Sequence, residues 1–203
     1  MKLYYRPPSP FARKCRIIAR ELKLTIEEIQ VEPKTSEELH RANPLARIPT
    51  LILDDGSSLF DSSVICEYLN NVGGGSFFPG QSLFKSNSGR WRALGLAALG
   101  DGISEAALTI VLEKRIPEDE RRADVIAYQR SIVQNSIVTL ERFSARFPEH
   151  PTIGEISVGC ALGYVDYRLP ELEWKTRHPQ LRSWFEKFEK YPSVIDTGPG
   201  LFK

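Results

Sequence analysis

The chain has 203 residues, enough for one domain or two modest ones, and its 41% hydrophobic and 26% charged content is that of an ordinary globular protein rather than a disordered or fibrous one. Its 27 basic and 26 acidic side chains nearly cancel, which speaks against a protein that coats nucleic acid or binds polyanions. Arg6, Pro7 and Pro8 interrupt the first residues before an apolar signal core forms, and no later run is expected to approach a membrane span, so a cytoplasmic protein with no membrane partner is expected.

Lys2 to Tyr5 is a short β-prone run, and the prolines that follow deny a sheet its donors, so a loop must come next. From Ser9 the period changes. Phe11, Cys15, Ile18 and Leu22 recur at steps of four, three and four, the stripe of an amphipathic helix whose other face carries Arg13, Lys14, Arg16 and Arg20. Ile29 and Val31 alternate with polar neighbours and predict a second strand. Thr35-Ser36-Glu37-Glu38 matches a capping box for a short helix that runs to about Asn43, where Pro44 stops it. Residues Thr50 to Leu53 and Ser58 to Phe60 flank Asp54-Asp55-Gly56-Ser57 and predict a hairpin with Gly56 free to take a positive φ. A third helix starts at Asp61 or Ser62 and presents Ile65, Tyr68 and Leu69. The order is β-α-β-α-β-β-α over about seventy residues.

Gly73-Gly74-Gly75-Ser76 and Phe77-Phe78-Pro79-Gly80 break the composition and read as a linker with an aromatic anchor. Domains are therefore expected at 1–72 and 85–203, joined by a linker over 73–84, with no strand in the second. A long helix is expected from Leu83 to Lys114, bent or closely packed at Gly95, Gly100 and Gly102. Pro117 is expected to open the next helix, whose stripe is Val133, Ile137 and Leu140. Thr152-Ile153-Gly154-Glu155 is a capping box leading into an apolar helix to about Arg168, and Leu181, Trp184, Phe185 and Phe188 mark the last helix.

Cys15, Cys66 and Cys160 are odd in number and widely spaced, which suggests buried thiols rather than a disulfide framework or a zinc site. His40, His150 and His178 lack metal-ligand spacing and a serine-acid partner, so neither a metal nor a hydrolase triad is expected.

Three short segments in the first third carry the chemistry. Ser9-Pro10-Phe11 opens a helix, where Ser supplies a cap and Pro fits the first turn. Ile48-Pro49-Thr50 opens a strand; a cis proline there leaves the preceding backbone free to pair with an extended ligand. Asp61-Ser62 opens another helix, whose unpaired amides form an anion site suited to a carboxylate. A site of backbone and helix ends suits an extended, anionic, peptide-like ligand.

These segments, in this order, resemble the glutathione S-transferase superfamily. The likeness lies in Ser9-Pro10-Phe11-Ala12-Arg13-Lys14, in residues Asn43 to Leu51 and in residues Phe60 to Leu69, and Gly163-Tyr164-Val165-Asp166-Tyr167-Arg168 looks like a small bacterial subgroup. The resemblance implies a thioredoxin-like α/β N-terminal domain followed by an all-helical C-terminal domain. It implies that Ser9 donates a hydrogen bond to the glutathione sulfur, that Ile48 pairs through its backbone beside a cis Pro49, that Asp61 and Ser62 hold the γ-glutamyl group, and that Arg47 reaches the glycyl carboxylate. By the same analogy Phe11, Ile103 and Tyr164 line the electrophile pocket, and Asp101 reaches the γ-glutamyl group across a homodimer. Glutathione would be the co-substrate of a detoxifying transferase acting on a small electrophile. Two rivals stay open: a non-catalytic binding protein of this fold, and a glutathione-dependent isomerase or dehalogenase.

Overall fold

The computed structural model describes residues 1–80 and 88–199. The chain divides into two compact units, one made of residues 1–91 and 192–203 and the other of residues 92–191. Positions 81–84 of the expected linker and 83–87 of the expected long helix lie outside the described residues.

The first unit contains β1 (Lys2–Tyr5), α1 (Pro10–Glu21), β2 (Glu27–Gln30), α2 (Glu37–Ala42), β3 (Thr50–Ile52), β4 (Ser58–Phe60) and α3 (Ser62–Val72), the element order predicted above. The sheet has strand order β2-β1-β3-β4. β1 runs parallel to β2, with Tyr4 opposite Ile29, and antiparallel to β3, with Leu3 opposite Leu51; β4 completes the hairpin. A parallel β1-β2 pair requires a crossover, and α1 provides it. Gly56 takes φ +84° in the hairpin turn, as its position requires. Leu3, Ala12, Cys15, Ile18, Leu51, Ile65, Cys66 and Leu69 are buried together as the core of this unit. Cys15 and Cys66, far apart in the sequence, lie with their sulfurs 3.6 Å apart where α1 meets α3.

One local expectation is corrected. The N-cap of α2 is Ser36, whose hydroxyl accepts the Leu39 amide at 3.2 Å, and not Thr35. The amides of Thr35 and Ser36 both close onto the Glu32 carbonyl, so the chain is still turning at Thr35 and the helix begins one residue later. The basic face of α1 is not a solvated one. Arg13 is 6% exposed, Arg16 1% and Lys14 wholly buried. Their cover arrives from outside the helix: Glu28 on β2 pairs with Arg16 at 2.8 Å, the Tyr5 ring lies 4.5 Å beneath the Arg16 guanidinium, and the carbonyl of Val194 accepts from Arg13 at 3.0 Å. Val194 belongs to a short helix, Pro192–Ile195, that the sequence did not disclose and that returns the C-terminal segment to α1.

Among the described residues the second unit holds helices and no strand. They are α4 (Ser88–Glu113), which begins in the first unit, α5 (Ala123–Ser144), α6 (Ile153–Arg168), α7 (Trp174–Arg177) and α8 (Pro179–Phe188), followed by the returning α9 (Pro192–Ile195). The expectation that no run approaches a membrane span needs correction. The stretch Gly89–Glu113 is long and apolar enough by length and composition, because only Asp101 and Glu105 are charged between Arg92 and Glu113; half of that apolar stretch is buried in the fold. Gly100 lets α4 meet α6 backbone to backbone, since a Cβ there would stand 2.6 Å from the Ser157 carbonyl carbon. The remaining correction concerns Pro117. It opens one 3₁₀ turn, Glu118–Glu120, and α5 starts only at Ala123, because the Glu113 carboxylate takes the Arg122 amide and guanidinium and holds the intervening segment as a loop. The capping box of α6 forms as predicted: Thr152 accepts the Gly154 amide at 3.2 Å and Glu155 accepts the Thr152 amide at 2.9 Å. Leu181, Phe185 and Phe188 of α8 are buried, with the Trp174 and Phe185 rings packed edge to face.

Candidate functional site

Ser9 is the N-cap of α1. Its Oγ accepts the Ala12 amide at 3.2 Å, and no acceptor takes its hydroxyl proton among the described residues. Capping uses a lone pair and leaves the O–H, so one half-buried hydroxyl can cap the helix and donate to a ligand. Pro10 at the first turn has no amide to satisfy, and Arg20 in the last turn complements the helix dipole.

The loop from Asn43 to Thr50 is held from inside. The wholly buried pair Asn43 and Thr50 makes a closed network: the Asn43 amide donates to the Arg47 carbonyl and to Thr50 Oγ1, each at 3.0 Å, and Thr50 Oγ1 donates to the Arg47 carbonyl at 2.8 Å. Asn43 Oδ1 accepts the Leu45 amide at 2.9 Å, an Asx turn that directs the chain away from α2. The Ile48-Pro49 peptide is cis. Among the described residues no backbone group pairs with Ile48, and the Arg47 side chain is exposed without an ion-pair partner. The sequence reading assigned Asn43 only the end of a helix; the Asn-Pro pair after a helix was the available signal for its turn-making role.

Asn43→Ala is expected to cost about 2 to 4 kcal/mol, since it removes one buried partner from several hydrogen bonds at once. Urea unfolding measures the loss.

Asp61 is the N-cap of α3 and sits at φ +67°, ψ 131°, a conformation costing a non-glycine residue about 1 to 3 kcal/mol. Its carboxylate accepts the Ser63 amide at 2.7 Å, and the buried Ser62 follows as the first helical residue. The neighbouring carbonyl of Ser62 accepts the Cys15 thiol at 3.6 Å, which ties the second turn of α1 to the start of α3 through the core. Ser9, Arg47, Ile48, Pro49, Asp61 and Ser62 all stand on the first unit, at helix starts or on the loop before β3. Phe11, half-buried on α1, stands there too. Ile103 on α4 and Tyr164 on α6 belong to the second unit, 0% and 5% exposed, and Asp101 on α4 is half-buried. Among the described residues no group of three histidine, cysteine or acidic side chains gathers as a metal site.

Residues 8–72 match the glutathione S-transferase N-terminal domain and residues 112–187 the glutathione S-transferase C-terminal domain. The crystal structure of a glutathione transferase family member from Pseudomonas fluorescens Pf-5 with bound glutathione is 35% identical, covers 98% of this chain and 99% of its own, and superposes with a TM-score of 0.89. This chain belongs to the glutathione S-transferase superfamily. A second structure, a Pseudomonas fluorescens Pf-5 family member with bound S-(propanoic acid)-glutathione, is 34% identical with a TM-score of 0.85 and covers 99% of this chain and 100% of its own. The uncharacterized GST-like protein YibF of Escherichia coli K12 is 28% identical over 203 residues, 98% of each chain. The thioredoxin-like and helical halves of the superfamily fold are thus both present.

Proposed function

We propose that the protein is a glutathione transferase that lowers the pKa of the glutathione thiol through Ser9 and joins the sulfur to a small electrophile. The observation that carries this reading is the hydroxyl proton of Ser9, left over after the cap is made. A free thiol has a pKa near ~8.5, and lowering it by ~2 units takes ~2.7 kcal/mol of preference for the thiolate. A hydrogen bond to a charged acceptor contributes about 1.5 to 3 kcal/mol and a helix N-terminus about 0.3 to 1. The two together suffice without a general base. The thiol proton leaves to solvent, the sulfur electron pair forms the new carbon–sulfur bond, and the electron pair of a π bond broken at that carbon moves to the neighbouring atom, which takes a proton from solvent.

In this reading Ile48 pairs through its backbone with the cysteinyl part of glutathione next to Pro49. Asp61 and Ser62 hold the γ-glutamyl ammonium and carboxylate, with Ser62 and the α3 amides meeting the negative group. Arg47 meets the glycyl carboxylate, and Phe11, Ile103 and Tyr164 belong to the electrophile's side. Binding of glutathione and of a propanoic acid conjugate by the Pseudomonas relatives supports a site of this kind. The same reading makes the protein a cytoplasmic homodimer, with Asp101 directed to the second copy, and gives it a detoxifying role.

Calorimetric titration of glutathione tests it. Saturable binding is expected to the wild-type protein and to disappear when Asp61→Ala and Ser62→Ala are combined. A folded wild-type protein that ignores millimolar glutathione would overturn the transferase reading in favour of a protein-binding scaffold.

A further inference from the structure

We propose that Cys15 and Cys66 are an oxidation site, at which a small hydroperoxide closes an intramolecular disulfide between α1 and α3 whether or not glutathione binds. The two thiols stand on different helices of the first unit and pack sulfur to sulfur at 3.6 Å, which is van der Waals contact. Both side chains are wholly buried, so the fold itself sets their meeting. The Cys15 thiol also has the carbonyls of Phe11 and Ser62 as acceptors, each at 3.6 Å. These contacts hold the Cys15 sulfur between its own helix and the start of α3, and Cys66 follows Ser62 by one turn of that helix. An approach of about 1.5 Å makes the bond, shared between rotations about two Cα–Cβ bonds. The product would tie the helix that Ser9 caps to the helix that Asp61 caps.

The reaction balances with hydrogen peroxide alone. One sulfur, as thiolate, attacks the peroxide: the O–O bond breaks, a sulfenic acid forms, and the released hydroxide takes the thiol proton and leaves as water. The second sulfur attacks the sulfenic sulfur, the S–O bond breaks, and hydroxide leaves with the second thiol proton as another water. The two thiols give up two electrons, and the peroxide takes them. Burial selects the oxidant. Cys15 lies one turn below the half-buried Phe11 and touches the Ser62 backbone, so one residue layer covers the sulfurs, which admits a small neutral peroxide and excludes a bulky disulfide such as oxidised glutathione. Contact selects the product. A sulfenic acid formed with a thiol already against it is captured before a second peroxide carries it to sulfinic acid. Cys160, on α6 of the second unit, has no other cysteine in its unit and provides an internal comparison.

The test treats the folded wild-type protein with hydrogen peroxide, unfolds it in the presence of an alkylating reagent, and reads intact mass and proteolytic fragments. The expected product is a single chain, two hydrogens lighter, that has lost two of its three alkylatable thiols. Its fragments containing Cys15 and Cys66 should be joined and Cys160 should be alkylated. Dithiothreitol should restore all three thiols. Cys160→Ser should leave the joined fragments unchanged, and Cys66→Ser should abolish the two-thiol loss. Three alkylatable thiols after treatment, a bond that involves Cys160 or a second chain, or sulfinic acid at Cys15 or Cys66 that dithiothreitol does not reverse, overturns the site. The same treatment in urea separates placement by the fold from reactivity alone. Joined fragments formed from the unfolded chain in the same yield as from the folded protein overturn the site as well.

Discussion

Ser9→Ala is expected to raise the pKa of bound glutathione by about 1 to 2 units and to slow conjugation near neutral pH by roughly ten-fold. The rate falls less than the thiolate population, because a more basic sulfur is also a better nucleophile once ionised. The pH–rate profile is therefore the sharper measurement: its rising limb should move to higher pH while the plateau at high pH is nearly kept. The substitution also removes the cap of α1, which costs about 0.5 to 2 kcal/mol of stability, and thermal unfolding reads that loss separately. Ser9→Thr keeps both the acceptor and the hydroxyl proton, so it should restore the profile. A folded alanine variant with an unchanged profile would remove Ser9 from the chemistry.

Glu28→Ala is expected to destabilise the first unit by about 3 to 5 kcal/mol. The large size comes from Arg16, whose side chain is 1% exposed and which would keep a buried charge without its carboxylate. Arg20, the other partner of Glu28, is 32% exposed and can turn to water. The matching change at an exposed pair, Glu186→Ala beside Arg182, should cost less than about 1 kcal/mol. Urea unfolding of the two variants makes the comparison; equal midpoints would show that Arg16 does not depend on Glu28. The pH dependence follows the same pair. Burial pushes the Glu28 carboxyl up, yet the Arg20 hydrogen bond and the charges of Arg16 and Arg20 outweigh it and hold the carboxyl below its ordinary 4.5. The unfolded chain thus takes up this proton at a higher pH than the folded one. The contribution is complete above about pH 4.5 and is lost as the pH falls through the lower folded value, so the wild-type advantage over Glu28→Ala should shrink on acidification.

The element order of the first unit and the starts of α1, α3 and α6 were legible because their causes act over a few residues. A change from period two to period four, a serine before a proline, a Thr-x-x-Glu box and a glycine at a turn each determine local backbone without help from distant chain. The same locality explains the near misses. Thr35 and Ser36 are both acceptable caps, and only the closure of two amides onto Glu32 selects Ser36. Pro117 is acceptable at a first helical turn, and only the reach of Glu113 to Arg122 delays α5.

The candidate site divides along the same line. Ser9, Asp61 and Ser62 could be named from the sequence because helix starts announce themselves, and the superfamily followed from their order. The sequence by itself therefore determined the two-part superfamily fold, the α/β element order and the helix starts of the candidate site. Tertiary structure alone decided what stands behind them. Asn43 and Thr50 close a network across seven residues, Cys15 and Cys66 meet across fifty-one, and Arg13 finds the Val194 carbonyl across one hundred and eighty-one. A periodic pattern assigns every charge on a helix to water, since it carries no record of what later folds over that face. Burial of Arg13, Lys14 and Arg16 depends on segments brought in by the fold, and burial sets how strongly a charge or a hydrogen bond acts.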